Sequence, residues 1–269
     1  MSAAPLSEAK SNTPFYIATG REVEAFQAAY NSCLPVMLQG PTGCGKTRLV
    51  EYMAHRFGVP LYTVSCHEDM TASDLLGRYV LVDGNTEWVD GPLTKAVRDG
   101  GICYLDEIVE ARQDATVAIH SLTDHRRELF LERKGGEVLR ASKDFSLVVS
   151  YNPGYQSVLK DLKTSTRQRM VAIELGFPEP DIEEKILIES GVEADSAVAL
   201  VRLGAVIRRG SITGLREVAS TRTLIAAGKL MAHGLSFKEA ATLAIAGPLT
   251  DDIELRAGLE ALIDTYQPA

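Results

Sequence analysis

Gly40-Pro41-Thr42-Gly43-Cys44-Gly45-Lys46-Thr47 satisfies the G-x-x-x-x-G-K-[ST] spacing and follows the apolar run Leu34-Pro35-Val36-Met37-Leu38, as a strand feeding a phosphate-binding loop does. Glycines at 40, 43 and 45 let the backbone turn tightly and aim successive N–H groups at the β- and γ-phosphates, at the start of a helix predicted from Lys46 through about Phe57. Lys46 supplies a mobile positive charge to the β/γ oxygens, and the Thr47 hydroxyl suits Mg²⁺. A turn that only caps a helix has no need of Gly-Lys-Thr at this spacing. The implied ligand is a nucleoside triphosphate, ATP, with Mg²⁺.

Hydrolysis needs more than binding, because a water must be activated for in-line attack. Gly100-Gly101-Ile102-Cys103-Tyr104-Leu105-Asp106-Glu107 reads as a buried strand ending in two carboxylates. Asp106 is assigned to the Mg²⁺ shell and Glu107 to polarising the water, a base that a nucleotide kinase does not require. A third strand, Phe145-Ser146-Leu147-Val148-Val149-Ser150-Tyr151, ends at Asn152 before Pro153-Gly154. An Asn-Pro-Gly turn is bland alone. As the next strand end after Asp106-Glu107, Asn152 is expected to orient the water and sense the γ-phosphate.

These groups need a sheet to bring them together. Apolar segments with strand character lie near 34–40, 60–66, 101–106, 145–152 and 170–177, separated by helical or irregular stretches, the pattern of a parallel three-layer α/β/α sheet. A break falls at Phe177-Pro178-Glu179-Pro180, beyond which the chain reads as helical. Asp181-Ile182-Glu183-Glu184 opens one helix, Ser236-Phe237-Lys238-Glu239 has capping-box spacing, and Asp251-Asp252-Ile253-Glu254 opens the last. The expected organisation is an α/β nucleotide-binding domain over 1–178 and a helical lid domain over 179–269. Hairpin inserts are expected near 74–93 and 126–143.

Composition fits a compact cytoplasmic enzyme: 269 residues, 45% hydrophobic and 24% charged. A formal net charge of −8 disfavours a grip on nucleic acid, and no basic, aromatic-interleaved stripe is present. Cys33, Cys44, Cys66 and Cys103 form no C-x-x-C pair and read as reduced thiols. No stretch approaches the ~18 apolar residues of a membrane span, so no membrane insertion is expected.

The order of phosphate loop, Asp-Glu strand, Asn-ended strand and helical lid resembles an AAA+ ATPase over nearly the whole chain. Leu75-Leu76-Gly77-Arg78, Trp88-Val89-Asp90-Gly91-Pro92-Leu93 and Leu105-Asp106-Glu107 are similar to the MoxR branch. Glu68-Asp69-Met70-Thr71-Ala72-Ser73-Asp74-Leu75, Glu110-Ala111-Arg112-Gln113-Asp114 and Ser150-Tyr151-Asn152-Pro153-Gly154-Tyr155-Gln156-Ser157 resemble the CbbQ/NorQ family, as does the phosphate loop with its strand. The resemblance implies a homo-hexameric ring with ATP between subunits and an arginine from the neighbour completing each site. Charge developing on the transferred phosphoryl group calls for such a cation. Thr166-Arg167-Gln168-Arg169-Met170 matches the stretch carrying that finger. Arg169 is favoured because relatives commonly have Arg-Phe there; Met170 departs from that pattern and keeps Arg167 in play. Within Ala219-Ser220-Thr221-Arg222-Thr223-Leu224, Arg222 matches a lid arginine that senses the γ-phosphate, with Arg208, Arg209 and Arg216 as competitors.

The same resemblance implies an adaptor partner bearing a von Willebrand factor A domain and Rubisco as substrate, freed of inhibitory sugar phosphates. NorQ/NirQ-type support of nitric oxide reductase maturation is the alternative. A nucleic-acid motor and a nucleotide-gated scaffold without turnover are disfavoured by the net acidity and by the intact Lys46, Asp106 and Glu107. Mechanical contact is expected from the inserts. The first pairs Arg78-Tyr79-Val80-Leu81-Val82 with Thr86-Glu87-Trp88-Val89 across Asp83-Gly84-Asn85 and matches the helix-2 insert of the MoxR group. Its Trp88, the chain's single tryptophan, is expected either to be presented to a partner or to pack within the hairpin. The second hairpin runs Glu128–Glu132, a turn at Lys134–Glu137, then Val138–Arg140.

Overall fold

Alternating apolar runs and glycine or proline breaks resolve into a five-stranded parallel sheet in the computed structural model, which describes residues 13–152, 162, 164–210, 212–215 and 217–268. Its strands are β1 (Val36–Gln39), β2 (Leu61–Ser65), β5 (Ile102–Asp106), β8 (Ser146–Tyr151) and β9 (Val171–Glu174), in the order β2-β5-β8-β1-β9. The remaining strands form two hairpins, β3 (Gly77–Val82) with β4 (Asn85–Asp90), and β6 (Glu128–Leu131) with β7 (Glu137–Arg140).

Strand side chains alternate between faces, and each face is sealed by its own helices. Val36, Leu38, Ile102, Tyr104 and Val148 pack with α1 (Glu22–Asn31) and α2 (Lys46–Phe57), the latter through Leu49, Val50 and Met53. Met37, Cys103, Leu105, Leu147 and Val149 pack with α3 (Ala72–Leu76), α4 (Pro92–Asp99) and α5 (Gln113–Ala118), including Leu75, Leu93, Val97 and Ala115. Burial on both sides explains why these strands read as continuous apolar runs. The short α6 (Thr164–Arg167) precedes β9.

From Pro180 onward the described chain is helical: α7 (Pro180–Glu189), α8 (Ala194–Arg208), α9 (Thr221–Ala232), α10 (Phe237–Ala241), a π stretch over Thr242–Ala246, α11 (Gly247–Leu249) and α12 (Ile253–Thr265). Pro180 supplies the first turn of α7. Ser236 and Glu239 form the capping box that opens α10, and Asp252 accepts from Glu254 and Leu255 N–H to open α12. These helices share a separate core around Leu187, Leu200, Leu203, Leu224, Ile245 and Leu259.

A buried ion pair ties the first three of these helices together. Glu183, 1% exposed, accepts both Arg208 guanidinium nitrogens at 2.7 Å and the Thr221 hydroxyl at 2.5 Å. Arg208 also donates to Ala219 O and lies 4.1 Å from the Phe177 ring centroid. Removing one partner strands a buried charge, so Glu183→Ala is expected to lose about 3–5 kcal/mol. Glu183→Leu with Arg208→Met should recover much of that loss in urea denaturation; equal destabilisation by the single and double variants would contradict the charge argument.

Candidate active site

The carboxyl ends of β1, β8 and β5 lie side by side, and ligands of open α/β sheets bind in the crevice outside such ends. β8 sits between the other two, so Asn152 emerges between the loop after β1 and the acids after β5. Its Oδ1 accepts from Lys46 Nζ at 2.6 Å, while its Nδ2 donates to Thr42 Oγ1 at 2.9 Å and reaches Glu107 Oε1 at 3.5 Å. The spacing read from the sequence thus becomes one constellation of Lys46, Thr42, Asn152 and Glu107.

The loop's conformation is dictated by its glycines where a side chain would fail. Gly43 has φ 74°, and a Cβ there would lie 2.6 Å from the Ser220 Cβ, so the loop meets the N-terminus of α9 face to face. Gly45, at φ 103°, ends the loop and α2 begins at Lys46. Ser220 caps α9 by accepting from Thr223 N–H.

Lys46 is buried, and its ammonium donates to three neutral acceptors: Gly40 O at 2.7 Å, Pro41 O at 3.0 Å and Asn152 Oδ1. No carboxylate of the described residues comes within ion-pair distance of it. Burial pushes its pKa down, partly opposed by Cys44, Asp106 and Glu107, and Arg222 pushes it further down. A buried cation held by neutral acceptors is an anion site, because an incoming phosphate would compensate its lost hydration.

Asp106 and Glu107 diverge at the end of β5. The Asp106 Oδ1 accepts from Tyr104 OH at 2.7 Å and from Ser150 Oγ. Glu107 turns into the left-handed region at φ 56°, its N–H donating to Ser150 Oγ at 3.1 Å and its carboxylate exposed. Thr47 Oγ1 is 3.4 Å from Tyr104 OH. A hydroxyl and a carboxylate are hard oxygen donors of the kind Mg²⁺ takes beside substrate phosphates, so Thr47 and Asp106 fit that ion.

A cleft of about 720 Å³ joins these groups to Phe15, Tyr16, Ile17, Thr19, Ile186, Ile225, Lys229 and Arg222. Arg222, exposed on α9, therefore faces the phosphate loop. Its competitor Arg208 is committed to Glu183, Arg209 does not line the cleft, and Arg216 lies outside the described residues. So do Pro153, Gly154, Tyr155, Gln156 and Ser157. Neither Arg167 nor Arg169 lines this cleft. Arg167 is 5.7 Å from the Tyr151 ring centroid, whereas exposed Arg169 lines a second cleft of about 860 Å³ with Trp88, Asp124 and Arg126.

Sequence reasoning missed the wall formed by residues 15–19. Burial alone would raise the Glu22 carboxyl, yet hydrogen bonds from Thr19 N–H, Tyr16 OH and Gly20 N–H hold it below its usual value. That carboxylate folds the segment over the loop, with the Tyr16 ring 3.9 Å from a Cβ built on Gly45. An acidic first turn in α1 was the available signal. The cysteines are free thiols, and burial raises those of Cys44, Cys103 and Cys66, the last to about 12.

The inserts are hairpins, but Trp88 is not presented outward. It is half-buried, its Nε1 donates to Asp90 Oδ1 at 2.6 Å, and its ring meets Tyr79 edge-on at 5.2 Å with Lys134 5.9 Å from its centroid. Arg98 joins Asp90 to Glu137, binding the two hairpins to each other. The most exposed large apolar residue of the two hairpins is Leu81, 77% exposed. Asp83 and Gly84, both at positive φ, make a two-residue turn, with Asn85 already paired to Val82.

A parallel sheet delivering a glycine loop with a buried lysine, an Asp-Glu pair and an asparagine to one crevice, beside a helical segment, defines an AAA+ ATPase. Residues 35–170 match the AAA domain (dynein-related subfamily), and residues 183–266 match the CbbQ/NirQ/NorQ C-terminal model. The chain belongs to the CbbQ/NirQ/NorQ family of AAA+ ATPases and is an ATP hydrolase. It is 56% identical to denitrification regulatory protein NirQ of Pseudomonas aeruginosa over 94% of this chain and 98% of that one. Protein CbbQ of Hydrogenophilus thermoluteolus is 54% identical, covering 94% of each chain, and protein NorQ of Paracoccus denitrificans is 54% identical, covering 93% of each. A crystal structure of a protein from Cytophaga hutchinsonii, provisionally assigned as an ATPase, shares the fold with TM-score 0.50 and 14% identity over 89% of this chain and 82% of that one. No helix among the described residues is long and apolar enough to cross a membrane.

Proposed function

We propose that this chain is the motor subunit of a hexameric ring that couples ATP hydrolysis to remodelling a protein substrate. The observation carrying the catalytic half is the buried Lys46 ammonium on three neutral acceptors, beside Glu107 and Asn152. In this reading Lys46 and the backbone of Gly40 to Thr47 bind the β- and γ-phosphates, with Pro41, Thr42 and Cys44 shaping the turn. Thr47 and Asp106 hold Mg²⁺, which neutralises charge on the phosphates. Glu107 takes the proton of the attacking water, and Asn152 fixes that water. Arg222 reports phosphate state to the helical segment, which we treat as a lid over residues 179–269. Arg169 serves the neighbouring subunit.

The sequence strings that resemble CbbQ support Rubisco as the substrate, with a von Willebrand factor A domain adaptor. The 56% identity to NirQ supports a second reading, assembly of nitric oxide reductase. Purified ring and its adaptor, given sugar-phosphate-inhibited Rubisco in one arm and immature nitric oxide reductase in the other, separate the two. ATP-dependent recovery of activity in only one arm identifies the substrate. ATP-independent recovery in either would end the remodelling proposal.

The hairpin pair is the proposed contact surface, through Leu81 rather than Trp88. Leu81→Asp is expected to keep its melting temperature and basal ATPase while losing most adaptor-stimulated turnover, as interface anchors typically contribute ~2 kcal/mol or more. Trp88→Ala should instead lower the melting temperature, because its ring fills the seam between the hairpins. Full stimulation by a folded Leu81→Asp ring would exclude this hairpin from the contact.

A further inference from the structure

Among the described residues Tyr104 is the largest fully buried side chain, at 0% exposure in the core beneath α2. Phenylalanine would fill the same space without the cost of burying a hydroxyl, so the oxygen needs partners. That oxygen lies within hydrogen-bonding distance of Thr47 and Asp106, the two residues proposed to hold Mg²⁺. Ser150, also 0% exposed, reaches the same Asp106 Oδ1 from β8 and accepts the Glu107 N–H.

Counting protons fixes the direction of this chain. A carboxylate only accepts, so Tyr104 and Ser150 both donate to Asp106. With its proton so placed, the Tyr104 oxygen can only accept from Thr47. Thr47 thereby sends its proton into the core and keeps its lone pairs, while Asp106 is held by Oδ1 and keeps Oδ2 for other partners.

We infer that Tyr104 and Ser150 are positioning residues: they form a hydroxyl relay, Thr47 to Tyr104 to Asp106 with Ser150 alongside, that sets both Mg²⁺-side oxygens and, through Ser150, the backbone of Glu107. This inference rests on the ATPase reading above. The two hydroxyls differ in reach. Tyr104 reaches the two metal-side residues Thr47 and Asp106, whereas Ser150 touches Asp106 and also anchors the left-handed turn that carries the water base.

The test is binding of a fluorescent ATP analogue to the full-length chain, first in EDTA and then across a Mg²⁺ titration, with melting curves and phosphate release. Tyr104→Phe is expected to match wild type in EDTA, to need about tenfold more Mg²⁺ for half-maximal effect after losing a charge-assisted hydrogen bond, and to regain turnover at high Mg²⁺. Ser150→Ala should shift the Mg²⁺ requirement too, but keep a turnover defect of about tenfold or more at saturating Mg²⁺; Ser150→Thr should restore it. If Tyr104→Phe melts early, Ser150→Ala carries the Mg²⁺ test alone. A wild-type Mg²⁺ titration in a stably folded Tyr104→Phe chain, or in Ser150→Ala, overturns the relay and leaves the ATPase reading standing. Absence of Mg²⁺-dependent nucleotide binding by wild type would remove both.

Discussion

Glu107→Gln is expected to bind ATP at near wild-type affinity and to lose turnover by ~10²-fold or more, the range general-base removal produces. Glutamine keeps the side-chain length and can still accept from Asn152, but it cannot take a proton at neutral pH. The left-handed turn at residue 107 depends on the backbone N–H bonded to Ser150, which the substitution leaves in place. Lys46, Thr47 and Asp106 are untouched, so phosphate and Mg²⁺ binding should survive. Lys46→Ala is the opposite case. It deletes the buried ammonium and leaves Gly40 O, Pro41 O and Asn152 Oδ1 without their donor, so nucleotide affinity itself should fall about tenfold to a hundredfold. Nucleotide-binding isotherms and phosphate-release rates measured on both variants separate the roles. Near-normal turnover by Glu107→Gln would sink the assignment of the base.

The strand ends that carry this site were legible because each is a short apolar run stopped by a chemically distinct residue. Val36–Gln39 stops at Gly40, Ile102–Asp106 at Glu107, and Ser146–Tyr151 at Asn152. The helix start at Lys46 followed from the same motif. Local signals also found both hairpins, though not the two-residue turn that lets Asn85 pair with Val82. What the sequence withheld was proximity across long separations. The order that seats β8 between β1 and β5 is a tertiary fact, and it is what brings Asn152 to Lys46, 106 residues away. In a linear reading Arg222 is favoured as the sensor by resemblance alone, and Arg208 stays a competitor. Only the pairing of Arg208 with Glu183, 25 residues earlier, takes it away from the phosphate loop. The two readings of Trp88 stay open in the sequence for a related reason: its partners Tyr79, Asp90 and Lys134 come from the paired strand, its own strand and the other hairpin. Exposure cannot be read from one residue's identity when the burying surface comes from elsewhere.

Arg169→Ala is expected to bind ATP and fail to hydrolyse it, with a loss on the order of 10³-fold, the scale of arginine-finger removal. The geometry behind this is an asymmetry between two faces of one chain. The cleft holding Lys46, Asp106, Glu107 and Asn152 contains Arg48 and Arg222, but Arg169 lines a different cleft. An exposed guanidinium with no hydrogen bond or ion pair among the described residues is free to serve another chain's phosphate, whereas Arg167 already lies against Tyr151. A ring built from head-to-tail contacts repeats that relation at every interface. Mixing Arg169→Ala with Glu107→Gln subunits therefore offers a complementation test. Wherever an Arg169→Ala cleft faces the intact Arg169 of a Glu107→Gln neighbour, base and finger are both present; in a random equal mixture that is about a quarter of the interfaces. Phosphate release well above that of either variant alone is the expected result, with co-assembly verified by crosslinking. If co-assembled rings stay as inactive as their parents, or if Arg167→Ala and not Arg169→Ala abolishes turnover, then Arg169 does not act on the neighbouring site.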